Sequence, residues 1–118
     1  MVMVEYRTSA GGSALVETLS PGKDEEMVSI YHDRKGKLAM THYCMLRNQP
    51  RMTLAKADAQ TIELVFDKKG NDINPAKEKH MHAVRITFTD KDHITQEWTL
   101  FEKGKKTEVV TFNLTRTH

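Results

Sequence analysis

Two short runs hold most of the residues able to do chemistry. The first, THYCMLRNQPRM at 41–52, sets His42 two residues before Cys44, the only cysteine, and ends with Arg51 and Met52. The second, HMHAVRITFTD at 80–90, opens on His80 and His82. Residues two apart on a strand point the same way. Leu38, Met40, His42 and Cys44 therefore share one face, and His80, His82, Val84, Ile86 and Phe88 share another. The apolar members mark both faces as inward, so the pattern predicts that His42, Cys44, His80 and His82 project into one interior.

Four chemistries fit such a set. The plainest is a group of interior polar side chains bonded to one another, to backbone or to water, since buried polar groups are normally satisfied. Cys44 then only fills space, as unpaired cysteines commonly do. Alternatively His42, Cys44, His80 and His82 supply the three nitrogens and one sulfur of a tetrahedral zinc site. As a nucleophile Cys44 has His42 close in sequence, but no Gly-rich elbow or helix start follows to lower its pKa or hold an oxyanion. Haem could take His42, His82 or His93 as its ligand, although covalent attachment through Cys-x-x-Cys-His needs two cysteines.

Other residues qualify as accessories. Gln96 shares the face of Ile94, Trp98 and Leu100. Arg51, at the exit of the Asn48-Gln49-Pro50 connection, offers a planar fork to a carboxylate. Glu17 lies on the face of Leu15 and Leu19, where a buried carboxylate needs a partner that Arg7 or Arg51 could supply. Tyr6, Tyr31 and Tyr43 carry hydroxyls whose alternation leaves inside and outside open.

The elements that position these residues read as strands. Turn-rich stretches recur at AGG 10–12, SPG 20–22, DRKGK 33–37, RNQP 47–50, DKKGN 67–71, TDKD 89–92 and EKGKK 102–106. About nine segments of strand length lie between them, the spacing of an antiparallel meander closing into a barrel or sandwich. One of these segments is expected to run through Cys44 to Leu46 as KLAMTHYCML. Alternation is clearest in Ile62–Leu64–Phe66, in Ile94–Gln96–Trp98–Leu100 and in Val110–Phe112–Leu114. NPAKEK at 74–79 predicts a single helical turn, with Asn74 as N-cap and Pro75 following it.

The 118 residues are read as one domain, 1–118. Apolar residues make up 38%, enough for a fold in which alternate residues face water. A net charge of +2, with lysines scattered through turns, argues against nucleic acid as a partner. No run approaches the roughly 20 apolar residues of a membrane span. The N-terminal residues lack the pattern of a secretory leader, and a cytoplasmic protein is expected.

The segments GGSALVETLSPG, EMVSIYH, LAMTHYC, NQPRM, HMHAVRITFTD and DHITQEWTLFEKGK, in this order, resemble a group of bacterial lipocalin-like proteins. THYC followed by NQPRM is the most specific part. The resemblance covers nearly the whole chain and implies an all-β, antiparallel up-and-down barrel of the calycin type around a cavity. It carries no reaction with it. The Gly-x-Trp strand that opens such barrels is missing ahead of VEYRTS, so a barrel of about eight or nine strands without its usual first strand is expected, with an edge to protect. The resulting reading is a protein that binds a small, mostly apolar molecule without turnover, using His42, Cys44, His82, Gln96, Arg51 and Trp98. A metal-binding barrel or metal-dependent enzyme is the second reading. The third is a homodimeric interaction module paired through VMVEYRTS or TEVVTFNLTRT.

Overall fold

A computed structural model describes residues 2–116. Nine strands follow one another: β1 Val4–Ser9, β2 Ala14–Leu19, β3 Met27–Arg34, β4 Lys37–Tyr43, β5 Arg51–Ala57, β6 Thr61–Phe66, β7 His80–Asp90, β8 His93–Glu102 and β9 Lys105–Thr115. They form one antiparallel sheet in sequence order. The one stretch of regular helix among the described residues is a 3₁₀ turn at Ala10–Gly12, between β1 and β2. NPAKEK forms the single turn expected of it. The Asn74 side chain accepts from the Ala76 amide at 3.1 Å, and the Asn74 carbonyl accepts from Lys77 and Glu78.

Turn chemistry sets the strand boundaries. Lys35–Gly36 and Lys103–Gly104 both take positive φ at each residue (53° and 83°; 53° and 77°), the two-residue geometry that matches strand twist. Asp58 accepts from the Gln60 and Thr61 amides, both at 2.9 Å, and so starts β6.

The sheet curls. Gln96 on β8 bonds directly to Tyr6 on β1 and Glu17 on β2, although five strands lie between β2 and β8 in the sheet. Inward positions follow from the ladder, because directly paired residues share a face. Leu19, Tyr31, Met40, Met52, Leu64, Val84, Ile86 and Trp98 form the core. Each fully buried large side chain contributes about 1.5–3 kcal/mol. The two edges, β1 and β9, are joined by no ladder among the described residues. The molecule is thus a nine-stranded half-barrel.

Its two ends differ. The connections at 20–26, 44–50 and 67–79 all lie at one end, with the tight turn of β8–β9. The other end carries only the short turns of β1–β2, β3–β4, β5–β6 and β7–β8. At the first end the loops are tied together. Asn48 Nδ2 donates to the Lys79 carbonyl at 2.9 Å. Asn71 accepts from the Arg51 amide at 2.7 Å and donates to the Arg51 carbonyl at 2.9 Å. Pro50 and Ile73 are buried there. This end is closed and the other is open.

Candidate functional site

The polar interior is a single connected group on β1, β2 and β8, with a second pair beside it on β3 and β4. Glu17 faces inward between Leu15 and Leu19, as its alternation predicts, and is 0% exposed. Neither Arg7 nor Arg51 reaches it, contrary to the sequence expectation. Arg7 pairs with Val16, which puts it on the opposite face of the sheet from Glu17, and Arg51 donates to the Gly70 carbonyl at 3.1 Å. The partners of Glu17 are neutral. Its Oε2 accepts from the Tyr6 hydroxyl at 2.6 Å, from Gln96 Nε2 at 2.8 Å and from the Tyr31 hydroxyl at 3.5 Å. Its Oε1 is buried without a hydrogen bond. Burial therefore raises the Glu17 pKa, against the opposing pull of Tyr6, Gln96, Ser29 and Tyr31. The same burial, with the Glu17 charge, raises both tyrosines.

Gln96 organises the group. Its Nε2 donates to both Glu17 and Tyr6, each at 2.8 Å, while its Oε1 accepts from Trp98 Nε1 at 3.0 Å. An amide is the side chain able to donate and accept at once in this way. Trp98 then packs against His42, the rings tilted by 38° with centres 4.4 Å apart. His42 Nδ1 is bonded to the Ser29 hydroxyl at 2.8 Å, and Ser29 lies opposite Glu17 across the β2–β3 ladder. Burial lowers the His42 pKa to about 4, so the ring is neutral near pH 7.

The other sequence-flagged residues lie elsewhere. β4 ends at Tyr43 rather than continuing to Leu46. Cys44 is already in the turn, its amide donating to the Asn48 carbonyl at 3.2 Å and its carbonyl accepting from Arg47 at 2.9 Å. It does not share the inward face of His42, and burial raises its thiol pKa. A bulge between Met81 and Ala83 ends the alternation expected for His80 and His82. Met81, not His80, pairs with Leu100 and packs on the core.

His80 and His82 instead join an aromatic cluster at the closed end, their own rings edge-on at 5.1 Å. His82 is parallel to Phe101 at 3.9 Å and to Phe66 at 5.2 Å. His80 Nδ1 donates to the Glu78 carbonyl at 2.8 Å, so in the neutral pair His80 Nε2 accepts from His82 Nδ1–H at 2.8 Å. Burial, then the charges of His80 and Lys68, lower the His82 pKa. His93 is exposed and paired with Asp90 at 2.8 Å. Hence His42, Cys44, His80 and His82 do not share one interior. Among the described residues, no three His, Cys, Asp or Glu side chains converge as a metal site requires.

The 41–52 motif divides between two surfaces. His42 faces in, while Thr41, Tyr43, Arg47, Asn48, Gln49 and Arg51 line a shallow surface depression of about 320 Å³. His42, Gln96 and Trp98 are buried and mutually packed. They lie below the open end rather than on its surface.

Above them two inward apolar side chains are exposed. Leu15 is 36% exposed and Phe88 is 42% exposed, although the ladder pairs them with Tyr31 and Ile94 on the inward face. Tyr6, at the edge of this region, is 43% exposed even though its hydroxyl reaches Glu17. Alternation alone would have flagged Leu15 and Phe88. Their exposure depends on which end the long loops cover. Comparison with protein-family models, with curated proteins and with solved structures yields no match to this chain.

Proposed function

We propose that the protein binds a small, mostly apolar molecule at the open end of a lipocalin-like half-barrel, without turnover. The observation that carries this is the exposure of inward-facing Leu15 and Phe88, each two residues along its strand from a buried position (Glu17 and Ile86), with half-exposed Tyr6 on the strand next to Leu15. Inward positions of a small barrel are normally filled by neighbouring side chains, and an unfilled apolar end suits one ligand. Behind it, Gln96, Glu17 and Tyr6 give a few fixed polar groups of the kind that orient a bound molecule. In this reading Trp98 and His42 support Gln96 from below. Cys44, Arg51 and His82, at the other end or outside, make no contact with the ligand.

The test is titration with a neutral apolar fluorophore, N-phenyl-1-naphthylamine, followed by its emission. Saturable binding is expected in the wild type. It should weaken at least tenfold in Phe88→Asp and Leu15→Asp, which leave the core untouched. Absence of saturable binding, or binding unchanged in both variants, contradicts the reading.

The open edges favour a second, compatible property. β1 and β9 each have one unpaired side, and such edges are commonly covered by strand addition from another copy. A dimer mass by light scattering at micromolar concentration, lost on Val109→Pro or Thr111→Pro, would support edge pairing through β9.

A further inference from the structure

The charges near the open end point to the kind of polar group the ligand carries, an inference that rests on the binding role just proposed. The ladder puts two acids on the inward face in this half of the sheet: Glu17 at the base and Asp33, paired with Leu38, at the rim. No lysine or arginine holds an inward ladder position there among the described residues: Arg7 pairs with outward Val16, Arg34 with Lys37, and Arg85 with Glu63, while Arg116, just past β9 at this end, is paired with Asp92 at 4.0 Å. Glu17 is itself only half satisfied, with three donors on Oε2 and none on Oε1. A buried oxygen without a donor is costly, and a ligand donor is one way to remove that cost.

Tyr6 caps the other oxygen of this carboxyl, donating to Oε2 at 2.6 Å. Its ring is partly exposed and its hydroxyl points at Glu17. It stands on β1, an edge strand held by one ladder. Turning it aside exposes the carboxyl while Gln96 stays bonded to Oε2.

We propose that the open end selects apolar molecules whose polar end donates hydrogen bonds, above all a primary ammonium, and that this group engages Glu17 when Tyr6 swings aside. An apolar chain ending in a carboxylate meets an acid and no cation, and is disfavoured by like charge and by the absence of a fork to hold it. The site is thus opposite in preference to one built for fatty acid anions.

Three ligands of equal chain length separate the cases: decylammonium, 1-decanol and decanoate, each titrated below its aggregation range. The change in emission of Trp98, the only tryptophan, and calorimetry supply the readout. Decylammonium should bind at least tenfold tighter than decanoate, with decanol between them. Glu17→Gln should bring decylammonium to within about threefold of decanol, while Asp33→Asn should retain most of the preference. In the wild type, the Glu17 carboxyl carbon should shift in NMR spectra on saturation with decylammonium, which decides the matter even if Glu17→Gln does not fold. Decanoate binding as tightly as decylammonium, a preference that survives Glu17→Gln, or an unmoved Glu17 carboxyl overturns the inference while leaving the binding role intact. If none of the three binds, nor the neutral fluorophore, the binding role itself has failed.

Discussion

At the closed end Leu19, Phe66 and Leu100 are 1%, 5% and 6% exposed; at the open end Leu15 and Phe88 are 36% and 42% exposed. Leu15 and Leu19 lie on one strand with the same alternation, and so differ only in position along it. The difference is made outside the strands. Loops 44–50 and 67–79, tied to each other through Asn48 and to β5 through Asn71, cover one end with Pro50 and Ile73. The tight turns at the other end have nothing to contribute. Alternation decides which residues point inward, and the loops decide which of those are buried.

Phenylalanine substitutions offer the largest test of this contrast. Phe66→Ala should destabilise by about 3–5 kcal/mol, the usual cost of removing a buried aromatic, and should loosen the packing of His80 and His82 against it. Phe88→Ala, at a position with the same inward alternation but 42% exposed, should cost clearly less, about 1–2 kcal/mol, because less area is removed from water there. Urea unfolding of both variants measures the difference. Equal losses would mean that the open end is as well packed as the closed one.

Acid sharpens the comparison inside the polar core. The folded pKa of His42 is about 4, below its unfolded value of 6.5. Stability from keeping this ring neutral is present above about pH 6.5 and is lost as pH falls towards 4. The loss is on the order of 3 kcal/mol. Glu17 acts in the opposite sense. Its folded pKa is raised above 4.5, so its contribution is greatest below that value and falls as pH rises through the folded pKa. The two terms oppose each other between pH 4.5 and 6.5, so the variants separate them: the fall in melting temperature from pH 6.5 to 4 should be steeper in Glu17→Gln than in the wild type and shallower in His42→Gln. Identical profiles for the wild type and both variants would contradict this account of the buried pair.

Much of the fold was legible before any coordinates. Gly, Asp, Asn and Pro mark most of the turns, so nine strand segments could be placed nearly where they lie. The inward faces of β6, β8 and β9 also followed from alternation. The candidate site was less legible, for identifiable reasons. The bulge at His82 reverses what period two implies, and nothing in HMHAV announces it. Cys44 falls outside β4 because Asn48 and Arg47 close a turn on its backbone, and that depends on a hydrogen bond rather than on side-chain type. Alternation set Glu17 on the face of Leu15 and Leu19 and required a partner if buried; it is buried, and its partners are neutral rather than Arg7 or Arg51. Its partner Tyr6 stands opposite it on the neighbouring strand, but Gln96 comes from β8, which only the curl brings close.

A smaller effect is expected at Cys44, which the comparison places with the closed-end loops. Cys44→Ser should change stability by no more than about 1 kcal/mol, since the side chain is only partly buried. Burial raises its pKa, so alkylation by iodoacetamide near pH 8 should be slower in the folded protein than in urea. Folded-state alkylation as fast as in urea would show an exposed, activated thiol.

The central claim is that the open end holds a small apolar molecule above the Tyr6–Glu17–Gln96 group. Methyl-resolved NMR during titration with 1-decanol tests it most directly. Saturable shifts are predicted for Leu15, Leu54, Ile62, Ile94 and Leu114 methyls near the open end, with Met27 and Met81 near the closed end unmoved. Shifts confined to Met27 and Met81, or no saturable shift at any methyl, would contradict the account.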